Sequence, residues 1–82
     1  QLDGTFFDRI IMPLPAQSAQ MLPRAWPVLR SGGVAHYYTF LDEEELESAS
    51  VEGIVGYSIE RVEQVGAAAP GRWRVCIDLE KR

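Results

Sequence analysis

The segment Phe6-Phe7-Asp8-Arg9-Ile10-Ile11-Met12-Pro13-Leu14-Pro15 limits most strongly what this chain can become. Ile10, Ile11 and Met12 are consecutive and apolar, the pattern of a strand covered on both faces, as in a parallel sheet. Pro13 and Pro15 stop that strand, because neither can donate a hydrogen bond to a ladder. Pro13-Leu14-Pro15 is therefore a stiff loop at the carboxyl end of a strand. In open α/β sheets that is where ligands bind.

The pattern then changes period. Met21, Leu22, Ala25, Trp26 and Leu29 recur at helical spacing and predict a helical region over residues 16–30 covering one sheet face. Pro23 suits the first turn of a second short helix there, and Pro27 tightens or kinks it. Ser31-Gly32-Gly33 is expected to end the helix. Val34 to Leu41 is β-branched and aromatic and reads as a second strand. Asp42 followed by Glu43, Glu44 and Glu45 predicts an N-capped helix reaching about Val55 and ending at Gly56. Residues 57–65 fit either a helix or a bulged strand. Ala67 to Gly71 reads as a loop. Trp73, Val75, Ile77 and Leu79 alternate with Arg74, Cys76, Asp78 and Glu80, a half-buried strand.

The expected order is β-α-β-α-β-β, with the first three strands parallel and the last pair antiparallel. This is an α/β architecture, half of a doubly wound sheet. A chain of 82 residues can bury one modest core. Its apolar fraction of 46% and charged fraction of 24% are ordinary globular usage and exclude a disordered chain. The formal charge of -4 lacks the basic surface of a free-standing nucleic-acid binder. No apolar run approaches the ~20 residues needed to cross a bilayer, so the expectation is a cytoplasmic protein without membrane contact. One cysteine and one histidine exclude an intrachain disulfide and leave too few soft ligands for a structural zinc, so no metal is expected. The first residue is Gln1, running almost directly into the first strand, which suggests a truncated or processed chain.

Three stretches carry a family resemblance. Phe7 to Pro15 is similar to the D-R-I-I-M-N-L-P strand motif of the archaeal and eukaryotic tRNA guanine-37 N1-methyltransferases. Leu29 to Phe40 resembles that family's L-K-x-G-G-x-I-H-Y-Y-x-F block, and Ala69 to Leu79 its A-P-x-x-W-H-V-x-x-D-L ending. The resemblance implies a class I AdoMet-dependent methyltransferase and covers the C-terminal half of its catalytic domain, here residues 1–82. It implies S-adenosyl-L-methionine as methyl donor and tRNA as partner. The glycine-rich cofactor loop, the acid that grips the cofactor ribose and the main tRNA-binding domain belong to parts not in this sequence.

By that resemblance Met12, Pro13 and Leu14 line the cofactor site, Pro15 lies at the catalytic centre, and Pro15 and Ala16 meet the substrate base. Tyr37 and Tyr38 face opposite sides of their strand; Tyr38 is a candidate to stack on the substrate base, with core packing as the alternative. One departure bears on the chemistry. The family's asparagine, which lies beside the target guanine and helps handle its N1 proton, is Pro13 here. That change brings in a relative with the same sheet, the wybutosine-pathway enzyme, which transfers the aminocarboxypropyl group of AdoMet instead. No residue of the segment stands out as a general base. His36 reads as a packed, hydrogen-bonded residue and Cys76 as a bystander without an activating partner nearby in sequence. Asp8 and Arg9 read as a structural ion pair or solvated charges. Asp42 to Glu45 lacks the alternation and turn glycine of a calcium loop and reads as a solvated helix start. Arg72 and Arg74 are candidates to touch tRNA.

A third reading comes from another class: a folding or self-association module without activity. In the family's sheet order the first strand sits beside a strand missing here, so its bare apolar edge is expected to recruit a second copy.

Overall fold

The structure, a computed structural model, describes residues 6–51 and 53–82. Strand β1 (Phe7–Met12) leads through Pro13 and Leu14 into helix α1 (Pro15–Ala25), and a 3-10 turn (Trp26–Val28) feeds strand β2 (Leu29–Asp42). A second 3-10 turn (Glu43–Glu45) opens an irregular stretch, after which strands β3 (Tyr57–Ala69) and β4 (Arg72–Lys81) form a hairpin. The four strands make one sheet in the order β1-β2-β4-β3. β1 pairs with β2 in parallel, while β4 lies antiparallel to both β2 and β3. The first three strands therefore run in one direction and the last returns between the second and third. The α/β class, the parallel opening and the antiparallel close match expectation.

Among the described residues the second expected helix is reduced to the 3-10 turn Glu43–Glu45. Asp42 and Glu45 complete a capping box, but the coil stops after Glu45. Glu43, Glu44, Glu45 and Glu47 concentrate like charge on one turn, and Ser48, Ser50, Gly53 and Gly56 add little helix propensity. Tertiary contacts hold the following segment irregular. The Tyr57 hydroxyl accepts from Val51 N at 3.0 Å and donates to Val51 O at 3.1 Å, and Trp26 Nε1 donates to Val55 O at 3.2 Å. Val51 and Ile54 enter the core in place of a helical stripe.

Two smaller differences concern the proline and glycine signals. Pro23 lies inside α1 instead of opening a new helix, and the coil tightens to 3-10 form three residues later. Ser31, Gly32 and Gly33 belong to β2 and bulge where the register shifts between Phe7↔Leu29 and Arg9↔Val34. A Cβ on Gly33 would stand 2.8 Å from the carbonyl oxygens of both Arg30 and Asp8, so the close approach of the two strands demands glycine. At residues 57–65 the strand alternative holds, with register shifts along its pairing to β4, and β3 continues through Ala69. Pro70 and Gly71 (φ 75°) make the hairpin turn.

One apolar layer lies between the sheet and α1. Met12, Ala35, Tyr37, Leu41, Val75, Ile77 and Leu79 project from the sheet to meet Leu22 and Trp26. Met21 faces water, so the helix presents a narrower stripe than its sequence suggests. Lys81 fastens the C-terminal strand to the α1–β2 junction, its Nζ donating to Trp26 O and Leu29 O at 2.8 Å each. No helix among the described residues is long and apolar enough to cross a membrane.

Candidate functional site

β1 ends at Met12, opposite Tyr37 in the register of the parallel pair, and β2 continues past it to Asp42. The chain turns at this step. Pro13 blocks further pairing, Leu14 caps the helix in an extended conformation, and Pro15 occupies the first helical position, where its missing N–H costs nothing. The amides of Gln17 and Ser18 both donate to Leu14 O at 3.0 Å. Ser18, fully buried, adds a side-chain lock: its hydroxyl lies 3.1 Å from Met12 O and 2.9 Å from Leu14 O. The turn is thus held from below by a helix whose own start it forms.

Four of the residues singled out in the sequence meet here. Met12 turns its side chain into the core, Pro13 and Leu14 face outward, and Pro15 is half-buried at the helix start. Leu14 keeps 56% of its surface exposed, an apolar side chain presented at a strand's carboxyl end. Ala16 lies in the first turn of α1, and its side chain falls outside the described residues. Tyr38 lies elsewhere. Strand alternation sends Tyr37 under α1 and Tyr38 to the opposite face, across from Cys76.

A cleft of about 580 Å³ opens on the α1 face of the sheet, between α1, β2 and the irregular segment, and none of the turn residues lines it. Ala19 and Pro23 of α1, Tyr37, Thr39 and Leu41 of β2, and Val51 of the irregular segment are among its walls. It exists because β2 outruns β1 and because, among the described residues, no second helix fills the space above it. The volume falls within the range of small-molecule pockets, about 300–1,000 Å³. Sequence reading placed none of its expected contact residues in this cleft. The strict alternation of Tyr37, Thr39 and Leu41 was the available signal.

The electrostatics of the opposite face are distinct. Burial pushes the Cys76 thiol above its ordinary range, reinforced by the charges of Asp78 and Glu63 and opposed by a hydrogen bond from Tyr38. The same thiol raises the Tyr38 phenol. Asp8 pairs with Arg30 at 3.0 Å, and Arg72 pairs with Asp42 at 3.0 Å while lying 5.4 Å over the Phe40 ring. Arg72 and Arg74 are both exposed.

The sequence profile of the TRM5/TYW2 methyltransferase domain matches residues 2–65. The chain belongs to the TRM5/TYW2 methyltransferase family. It is 26% identical over 80 residues to the tRNA(Phe) (4-demethylwyosine(37)-C(7)) aminocarboxypropyltransferase of Pyrococcus horikoshii, across 88% of this chain and 29% of that protein. Among solved structures it is similar to Trm5b of Pyrococcus abyssi, with a TM-score of 0.78 and 28% identity over 93% of this chain and 26% of that one. It is also similar to TYW2 of Methanocaldococcus jannaschii in complex with AdoMet, with a TM-score of 0.73 and 26% identity over 92% of this chain and 39% of that one. The chain thus spans well under half the length of these relatives. As a TRM5/TYW2 domain segment it holds the strand–turn–helix step described above, and Ser18 is the member of that step that sequence reading overlooked. A lone serine at the fourth position of a helix carries no signal of its own; only its return to Met12 O identifies it.

Proposed function

We propose that this chain is the C-terminal part of the catalytic domain of an AdoMet-dependent tRNA-modifying enzyme that acts on N1 of guanine 37 in the anticodon loop. The observation that carries this reading is the Met12-Pro13-Leu14-Pro15 turn, fixed by Ser18 at the carboxyl end of the parallel pair, in a chain of the TRM5/TYW2 family. AdoMet bound there supplies an electrophilic carbon for transfer. The residues present fit such a group: Pro13 and exposed Leu14 offer an apolar surface to a purine ring or a thioether, beside half-buried Pro15. Met12 and Ser18 keep that surface in place, and the cleft walled by Tyr37, Thr39 and Leu41 on the α1 face has room for a target nucleoside. Tyr38, on the far face, stacks on no base in this arrangement unless RNA also reaches that face. Such an enzyme works in the cytoplasm, on tRNA held mainly by other parts of the protein, with exposed Arg72 and Arg74 as minor contacts.

A second reading is favoured by Pro13. A proline ring carries no amide to accept or relay the guanine N1 proton, which general base catalysis of N1 methylation requires. Transfer of the aminocarboxypropyl group to a carbon atom makes no demand on guanine N1; the proton displaced from that carbon passes to solvent or to a base outside these residues. The P. horikoshii relative is named for that reaction.

Both readings are tested on the full-length protein that carries this chain, with tRNA bearing guanine 37 or its tricyclic derivative. AdoMet labelled in the methyl group should label the guanine-37 tRNA. If label enters tRNA only from the aminocarboxypropyl carbons, the second reading replaces the first. Failure of either label to reach either tRNA sinks both.

The isolated chain has a further property under this reading. Among the described residues β1 pairs on one side only, and Phe7 and Ile11 are exposed along it. Unless other protein covers that edge, it pairs with a second copy.

A further inference from the structure

The chain has a single histidine and a single cysteine, forty positions apart, and the fold brings them together. His36 projects from the middle of β2 on the face away from α1. Asp78 stands directly opposite it on β4, and Cys76 lies two residues along the same strand on the same face. His36 Nδ1 is 2.7 Å from Asp78 Oδ1, and Cys76 Sγ is 3.7 Å from the same oxygen. The potential ligand atoms of the three residues all lie within 4.8 Å of one another. The side chains of His36 and Asp78 are each only 22% exposed, and Cys76 is buried. We propose that His36, Cys76 and Asp78 form a binding site for a divalent transition metal of the Zn²⁺ type.

The donor set suits such an ion. Imidazole, thiolate and carboxylate together select a borderline metal over Mg²⁺ or Ca²⁺, which prefer oxygen alone. Tetrahedral zinc with bonds of about 2.0–2.3 Å places its ligand atoms roughly 3.5 Å apart, against separations here of 2.7 Å, 3.7 Å and at most 4.8 Å. Small side-chain rotations on a paired strand suffice. Both His36 and Cys76 direct a donor at one oxygen of Asp78, so an ion replacing those protons sits among the same three atoms. Thiolate and carboxylate would then balance a charge of two, and a fourth position would stay open for water, as in zinc sites with three protein ligands.

The proton balance is simple. Arg9 Nη1 lies 2.8 Å from His36 Nε2, and a guanidinium can only donate, so Nε2 accepts and Nδ1 carries the ring proton in the metal-free chain. Metal binding at Nδ1 moves that proton to Nε2, releases the Cys76 thiol proton to solvent, and displaces exposed Arg9 from the ring. Arg9 is therefore a competitor of the metal. The site lies on the face opposite α1 and is independent of the Pro-Leu-Pro turn.

The test is spectroscopic titration of the reduced 82-residue chain with Co²⁺. With one cysteine present, a thiolate-to-cobalt charge-transfer band can arise only from Cys76. The expected result is a saturable band at one ion per chain, abolished by Zn²⁺. Cys76→Ser should remove the band, and His36→Gln or Asp78→Asn should weaken binding by roughly tenfold or more, as loss of one ligand in three must. Arg9→Ala should tighten it; this variant leaves every proposed ligand in place, so misfolding of a ligand variant would not shelter the proposal. Absence of the band in the folded wild type overturns the site, as does a stoichiometry of one ion per two chains. Looser binding in folded Arg9→Ala would overturn the coordination geometry argued here.

Discussion

Ser18 points its hydroxyl back at the carbonyl oxygen of Met12, 3.1 Å away across the Pro-Leu-Pro turn, from a position wholly closed to solvent. The strand's last carbonyl and the first turn of the helix are thereby tied by one side chain. Replacing it leaves a buried acceptor without its donor. Ser18→Ala should lower stability by about 1–3 kcal/mol, the cost of an unsatisfied buried polar group. Urea denaturation should show the midpoint falling at constant slope. A loss below about 0.5 kcal/mol would mean that the helix amides alone hold the turn.

Gly33 and Gly32 separate two kinds of glycine requirement. A methyl group on Gly33 meets two backbone oxygens at 2.8 Å, whereas one on Gly32 meets nothing within 4 Å but must adopt φ 84°. Gly33→Ala forces β1 away from β2 and should cost about 1–3 kcal/mol or more, as overpacking of a close contact does. Gly32→Ala should cost about 1 kcal/mol from backbone strain. Thermal melts of the two variants should rank in that order; the reverse ranking would mean that the bulge yields more easily than the backbone dihedral.

Lys81 sits 5.7 Å over the Trp26 ring and donates to two carbonyl oxygens at the helix exit. Hydrogen bonds from a charged donor contribute more than neutral ones. Lys81→Met keeps the stem but removes the donors, and should cost about 1.5–3 kcal/mol in chemical denaturation. A near-neutral effect would show that water replaces the ammonium without loss.

The free edge of β1 makes association measurable. Sedimentation of the isolated chain should show a dimer growing with concentration. Ile11, 61% exposed on that strand, can carry a charge without disturbing the core. Ile11→Lys should return the chain to monomer with stability changed by no more than about 0.5 kcal/mol. Dimers that persist in this variant would place the contact away from β1.

Alkaline pH should weaken the fold. Burial holds the Cys76 thiol above its ordinary value of 9.0, and the hydrogen bond to Cys76 raises the Tyr38 phenol above 10.0. Groups raised in the folded state favour folding while protonated. Their stabilisation is complete below pH 9.0 and declines as pH rises through the folded values. Urea midpoints measured with reductant and chelator should be flat below that pH and fall above it. Cys76→Ser should flatten the fall, and an unchanged profile would remove the thiol from the account.

The local order of this protein is written in its sequence. Three consecutive apolar residues followed by Pro13 and Pro15 are enough for a strand ending at Met12, and alternation from Trp73 to Leu79 is enough for β4. These elements depend on neighbours along the chain, where steric exclusion and side-chain period act directly. Family membership was legible for the same reason, because its motifs are short runs such as Gly32-Gly33-Val34-Ala35-His36-Tyr37-Tyr38. Residues 43–55 show the opposite case. Asp42 and three glutamates signal a helix start, yet Tyr57 and Trp26 take the backbone groups that a helix would have used. Tertiary structure decided that competition, and with it the cleft above Tyr37. Tertiary structure also brought His36, Cys76 and Asp78 to one face, since only strand pairing can join positions so far apart in sequence. What neighbours in the chain determine, the sequence states; what distant partners determine, it leaves to the pairing of the sheet.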